Sequence, residues 1–158
     1  MSGTGAGAAA TEFAFPTEQH LDDFAQRFAR DLSPPLVIWL EGDLGACKTT
    51  FARGLIHALG YSGRVKSPTY GLLEYYQLAN LQVLHMDLYR ISDPGELEFL
   101  GIGDLLDDAT ILLIEWPDKG EGWLPKPDFI FRFSYAETGR SLSVSARTPR
   151  AQNKVETF

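Results

Sequence analysis

Apolar positions along the chain fall into two periods. Between Thr17 and Leu32, Leu21, Phe24, Phe28 and Leu32 recur at three- and four-residue steps with Asp, Gln and Arg between them. That spacing predicts an amphipathic helix, with Thr17 as its N-cap after Pro16. "PPLVIWLEG" follows, and its unbroken apolar run Leu36 to Leu40 predicts a short strand covered on both faces. A helix is predicted from Lys48 to Leu59, stopping at Gly60. "GLLEYYQL" and "LQVLHMDL" flank a turn at Ala79-Asn80 and predict an antiparallel hairpin. "SDPGELEFLG" reads as a short helix capped by Ser92 or Asp93, with Pro94 in its first turn. "TILLIEW", residues 110–116, is a second buried strand. Phe129, Phe131, Phe133 and Tyr135 then alternate onto one face, and Gly139 and "SLSVSA" complete a second hairpin. Strands alternate with helices first and hairpins follow, so the expected fold is a three-layer α/β domain with a mixed parallel/antiparallel sheet. It is expected to span residues 12–148. Residues 1–11, "MSGTGAGAAAT", read as a disordered leader with no signal-peptide pattern, and "PRAQNKVETF", 149–158, as a polar tail.

Composition narrows the function classes. A chain of 158 residues suits one domain, and 44% hydrophobic with 22% charged residues is ordinary for a soluble protein. A net charge of −7 argues against a nucleic-acid surface of its own, which needs clustered Lys and Arg, and against docking on anionic membranes. No apolar run approaches the ~20 residues of a membrane span. The single cysteine, Cys47, can form neither an internal disulfide nor a metal cluster, so a cytoplasmic location is expected.

Candidate chemistry centres on Gly42-Asp43-Leu44-Gly45-Ala46-Cys47-Lys48-Thr49, which has the phosphate-loop spacing G-x-x-x-x-G-K-[ST] with Cys47 where the glycine just before the lysine belongs. A buried strand before it and a helix after it supply the required context. Backbone N–H groups of Asp43 through Cys47 and the first helical turn would form an anion nest, helped by the helix dipole. Lys48 would reach the β- and γ-phosphates, Thr49 would ligate Mg²⁺, and Thr50 could bond the α-phosphate. "ILLIEW" ends a buried strand in Glu115, a Walker B-like acid, and "VLHMD" ends another in Asp87. Two acidic strand ends facing the loop suit metal-assisted phosphoryl transfer. The bland alternatives are a ligand-free strand-to-helix turn, a surface acid at Glu115 and a capping role for Asp87. His85 shares a strand face with Asp87 and reads as a satisfied structural histidine; His20 and His57 carry no signal.

"GDLGACKTT", "VKSPTYGLLEYY", "LHMDLYRISDPGELEFLGIGDLL" and "ILLIEWPDKGEGWLP" resemble, in order and spacing, the bacterial TsaE family, formerly YjeE, over roughly Trp39 to Pro125. The resemblance implies a P-loop NTPase-like ATPase that works with ATP/ADP and Mg²⁺. Such proteins support N6-threonylcarbamoyladenosine formation in tRNA without transferring the group. They bind the TsaD–TsaB complex, through which tRNA is met only indirectly. It further implies phosphate and Mg²⁺ contacts for Lys48, Thr49 and Thr50, a Walker B role for Glu115, and an acid essential to hydrolysis at Asp87. Thr69 would sense the γ-phosphate from a switch-like loop, and Trp116 would lie near the nucleotide. The chain departs from the family pattern at Cys47, Gly71, Gly95 and Gly103.

Cys47 bears directly on the site. Glycine there commonly takes a positive φ, and an L-residue held left-handed costs ~1–2 kcal/mol. Three consequences compete: a weakened site, a tolerated residue in a relaxed loop, and a reactive thiol at a helix N-terminus beside Lys48. The competing functions are a TsaE-type ATPase, a small-molecule kinase, a GTPase, and a docking protein whose nucleotide site Cys47 has impaired. An Arg-rich lid is missing for the kinase, and "NKVE" lacks the guanine-reading Asp for the GTPase.

Overall fold

The computed structural model describes residues 10–43, 47–66, 68 and 72–156, apart from the side chain of Leu105. Its elements in chain order are β1 (Ala10–Phe15), α1 (Glu18–Ala29), β2 (Leu36–Gly42), α2 (Lys48–Ala58), β3 (Leu73–Gln77), β4 (Gln82–Asp87), α3 (Glu96–Leu100), α4 (Ile102–Leu105), β5 (Thr110–Glu115), β6 (Phe129–Tyr135), β7 (Arg140–Ala146) and α5 (Pro149–Glu156). A short 3₁₀ turn, Pro117–Gly120, follows β5. The strands form one seven-stranded sheet in the order β1-β7-β6-β2-β5-β4-β3. β4, β5, β2 and β6 run parallel, while β1, β7 and β3 run against their neighbours. This is the mixed α/β architecture that the alternating pattern predicts.

Side-chain alternation along the central strands divides the core in two. Ile38 and Leu40 of β2, Ile111 and Leu113 of β5, and Phe129, Phe131 and Phe133 of β6 pack with Leu21, Phe24 and Phe28 of α1 and Phe51 and Leu55 of α2. Leu84 and Met86 of β4 and Leu112 and Ile114 of β5 face the other way, onto Leu97 and Ile102 of α3 and α4. Three layers result, and every residue of β5 is buried. Thr17 caps α1, its side chain accepting from the His20 N–H, which relieves one unpaired helix-start donor. Strand order also fixes the site: in an open parallel sheet, ligands gather beyond the carboxyl ends of the strands, where β2, β4 and β5 terminate together.

Two boundaries and two burial assignments differ from the sequence reading, and α3 begins at Glu96 behind Gly95, after Pro94. Ala10 and Thr11, read as leader, belong to β1, which pairs with β7. Residues 149–156, read as tail, form α5, whose Ala151 is buried in the first cluster. Only one side chain per turn of this helix reaches the core, too weak a pattern to stand out. Val37 and Trp39 of β2 are half-buried because the second face is covered less completely. Tyr135, read as sharing the core face with the three phenylalanines, is exposed at the end of β6, its ring under the Arg140 guanidinium.

Candidate functional site

Parity of the strands assembles the site. Val83 of β4 and Leu113 of β5 face α2; stepping by two, so do His85, Asp87 and Glu115. Asp87 and Glu115 are register partners at the ends of β4 and β5. β2 ends beside them at Gly42, whose φ of +140° and closeness to β6 exclude a side chain: an added Cβ would lie 2.6 Å from the Phe133 carbonyl oxygen. α2 begins with Lys48 and Thr49.

Thr49 Oγ1 donates toward both oxygens of Glu115, at 3.1 Å and 3.3 Å. His85 Nε2 lies 2.7 Å from Glu115 Oε2. His85, Glu115 and Lys48 are 0%, 3% and 3% exposed, so each polar group sits where an unpaired one is costly. Lys48 Nζ donates to the Gly42 carbonyl at 2.7 Å and stands 3.7 Å from the centre of the Trp116 ring. Burial pulls the Lys48 ammonium below its ordinary pKa; Glu115, Asp87, Asp43 and Asp118 act against that fall. Burial raises the Asp87 carboxyl above its ordinary value, aided by nearby Glu115 and opposed by the Tyr89 N–H, His85 and Lys48. The Tyr89 N–H bonds Asp87 Oδ1 at 3.0 Å. Trp116 leaves β5 in the left-handed region (φ 59°), its N–H on the Leu40 carbonyl and its ring 5.0 Å from that of Tyr89. These groups form a buried ammonium, a hydroxyl and two carboxylates at the start of one helix.

The structure therefore brings together Lys48, Thr49, Asp87, Glu115 and Trp116, with Asp43 contributing to the field at Lys48. Thr50 lies half-buried in the same helical turn. Leu44, Gly45, Ala46 and Thr69 lie outside the described residues. Cys47 has φ 76° and ψ 8°, left-handed, and no side-chain capping bond. Sequence reasoning set His85 aside; its parity with Asp87 was the available signal, but only tertiary pairing of β4 with β5 puts it against Glu115. Asp118 was missed because the 3₁₀ turn that carries it has no periodicity.

The residues fit a small hard cation. Thr49, Glu115 and Asp87 offer only oxygen donors, and Mg²⁺ takes few protein ligands, retaining waters and substrate phosphates. Among the described residues no three His, Cys, Asp or Glu side chains gather into a site able to hold a metal by themselves, and none of the described helices is long and apolar enough to cross a membrane.

Comparison with known proteins bears on the same residues. The family model described as "Threonylcarbamoyl adenosine biosynthesis protein TsaE" matches residues 15–142. A tRNA threonylcarbamoyladenosine biosynthesis protein TsaE from Haemophilus influenzae is 40% identical over 148 residues, covering 90% of this chain and 94% of that one. One from Borreliella burgdorferi is 35% identical over 133 residues, covering 83% and 96%. The crystal structure of Bacillus subtilis YdiB superposes with a TM-score of 0.76 at 24% identity, covering 94% of this chain and 93% of that one. At that identity the superposition speaks for the fold.

Proposed function

The chain belongs to the TsaE family of threonylcarbamoyl adenosine biosynthesis proteins, and we propose that within tRNA threonylcarbamoyladenosine biosynthesis it acts as a Mg²⁺-dependent ATPase that docks on the TsaD–TsaB complex. One observation carries the ATPase reading: Thr49 Oγ1 bonds Glu115 across the head of α2, with Lys48 beside it and Asp87 in register. In phosphoryl transfer the protein's work is positioning and charge stabilisation. Mg²⁺, when bound, would neutralise developing charge on the phosphates.

The chain's own groups then have separable tasks. Lys48 moves from the Gly42 carbonyl and the Trp116 ring onto the β- and γ-phosphates, and the start of α2 supplies inward N–H donors. Thr49, its O–H donating to Glu115, would be one of the oxygen groups holding the cation. Asp87, in register with Glu115 at the end of β4, orients the attacking water and receives its proton. The net charge of −7 repels tRNA, consistent with tRNA being held by the partner complex.

Calorimetric titration of MgATP and MgADP into the wild type and Cys47→Gly, with phosphate release measured alone and with TsaD–TsaB, tests this. Saturable MgADP binding and partner-stimulated release are expected. Binding by the glycine variant alone would instead favour a docking protein with an impaired site. No binding by either, with or without partners, would refute the ATPase reading.

A further inference from the structure

We propose that His85 is a positioning residue that holds Glu115 in the orientation in which the acid can bind the Thr49 hydroxyl, an inference that rests on the nucleotide-hydrolysis reading above. His85 is wholly buried, in the interior strand β4, between β3 and β5. Its register partner on β5 is Leu113, not Glu115, so backbone pairing alone does not bring the two side chains together. The imidazole reaches one step along the sheet to place Nε2 2.7 Å from Glu115 Oε2. A carboxylate is an acceptor, which assigns the proton to Nε2.

A histidine kept for stability would have both ring nitrogens partnered, since a buried unmatched polar atom costs free energy. His85 Nδ1 has no hydrogen-bond partner in the structure. The site is lined by aliphatic side chains of the first core cluster, including Val83 and Leu113, and an apolar residue would suit it better. What the imidazole supplies and an apolar ring cannot is the bond to Glu115.

That bond matters because of what Glu115 does next. Its two oxygens are shared between one hydroxyl and one imidazole: Thr49 Oγ1 lies 3.1 Å from Oε2 and 3.3 Å from Oε1. His85 anchors the carboxylate from the β4 side, so the acid cannot rotate away from α2. Thr49, its O–H donating to Glu115, would then be held as one of the oxygen groups for a cation. Groups that orient metal-binding residues in this way are typically worth about 10–100-fold in metal affinity or activity.

The test compares His85→Gln, whose amide nitrogen falls near the Nε2 position, His85→Asn, whose amide reaches only Nδ1, and His85→Phe, which fills the space without a donor. Each is made in the wild type and in Cys47→Gly. Urea unfolding, ADP affinity with Mg²⁺ and with EDTA, and kcat and KM are measured. The expected result is that Phe and Asn lose about 10–100-fold in Mg²⁺-dependent affinity or kcat, keep their ADP affinity in EDTA, and that Gln recovers most of the loss. His85→Phe should also lose some urea resistance, because it takes a donor from the buried Glu115 carboxylate; the Mg²⁺-dependent part of its loss is the readout specific to positioning. Equal behaviour of Gln, Asn and Phe, an equal loss with and without Mg²⁺, or no loss at all overturns the inference. If Phe fails to fold, the Gln–Asn comparison decides alone. Parents that bind MgADP while His85→Phe matches them sink only the positioning role; parents that bind no nucleotide sink the hydrolysis reading and this inference together.

Discussion

Replacing Cys47 by glycine and by alanine separates backbone strain from side-chain contact at the mouth of the site. Cys47 stands at φ 76°, ψ 8°, where a Cβ crowds the following carbonyl and an L-residue costs about 1–2 kcal/mol. Glycine removes that strain but adds about 0.4–1 kcal/mol of unfolded-chain entropy. Alanine keeps the strain and loses the sulfur, which packs against the first core cluster. The glycine variant should therefore exceed the alanine variant by about 1 kcal/mol, or about 2–4 °C in Tm for a chain of this size, with wild type between them or near glycine. MgADP should bind the glycine variant as tightly as wild type or up to about tenfold more tightly, at about 1.4 kcal/mol per tenfold. Urea unfolding and calorimetry on the three proteins provide the assay. An alanine variant as stable as glycine would mean that the strain at Cys47 does not exceed the unfolded-chain entropy that glycine adds, and the reasoning would fail.

Asp87→Asn should abolish hydrolysis yet stabilise the fold. The folded-state pKa of Asp87 is raised, chiefly by burial, so the protonated acid favours the native state and stability is lost as pH rises from the ordinary carboxylate range through the folded value. The stabilisation by asparagine should accordingly grow as pH rises above the ordinary carboxylate range, as thermal melts at acid and neutral pH would show; a gain confined to acid would contradict it. Lys48 sits 3.7 Å from the Trp116 ring, so drawing it onto phosphate should shift tryptophan emission on ADP binding, and the shift should vanish in Trp116→Phe although Trp39 and Trp123 remain. Phe131 is fully buried and its ring contacts those of Phe24, Phe28, Phe51, Phe129 and Phe133; Phe131→Ala should cost about 3–5 kcal/mol in urea unfolding.

Much of this molecule was written in local order. The three- and four-residue spacing in α1, the continuous apolar run of β5 and the alternating phenylalanines of β6 each report a period that one element alone satisfies, so they are legible without knowing the fold. Gly-x-x-x-x-x-Lys-Thr and the acids ending β4 and β5 are likewise the basis of the proposed phosphate chemistry, because such chemistry needs fixed residue types at fixed local spacing. Cys47 was legible as a departure, and the left-handed backbone it occupies follows from the loop's role.

Where partners lie far apart along the chain, tertiary structure decided. β1 is a strand because β7 lies beside it to share its hydrogen bonds; the alternation of Thr11, Phe13 and Phe15 permits a strand but is too short to place one beside β7. α5 is held by the first core cluster through Ala151 and Val155, contacts invisible in a polar stretch. His85 became part of the site only when β4 paired with β5 and set its imidazole against an acid thirty residues further on. Sequence determines which residues can bond, since that depends on chemistry and short-range geometry. Which of them do bond depends on strand order, and strand order is settled by burying both faces of the sheet at once.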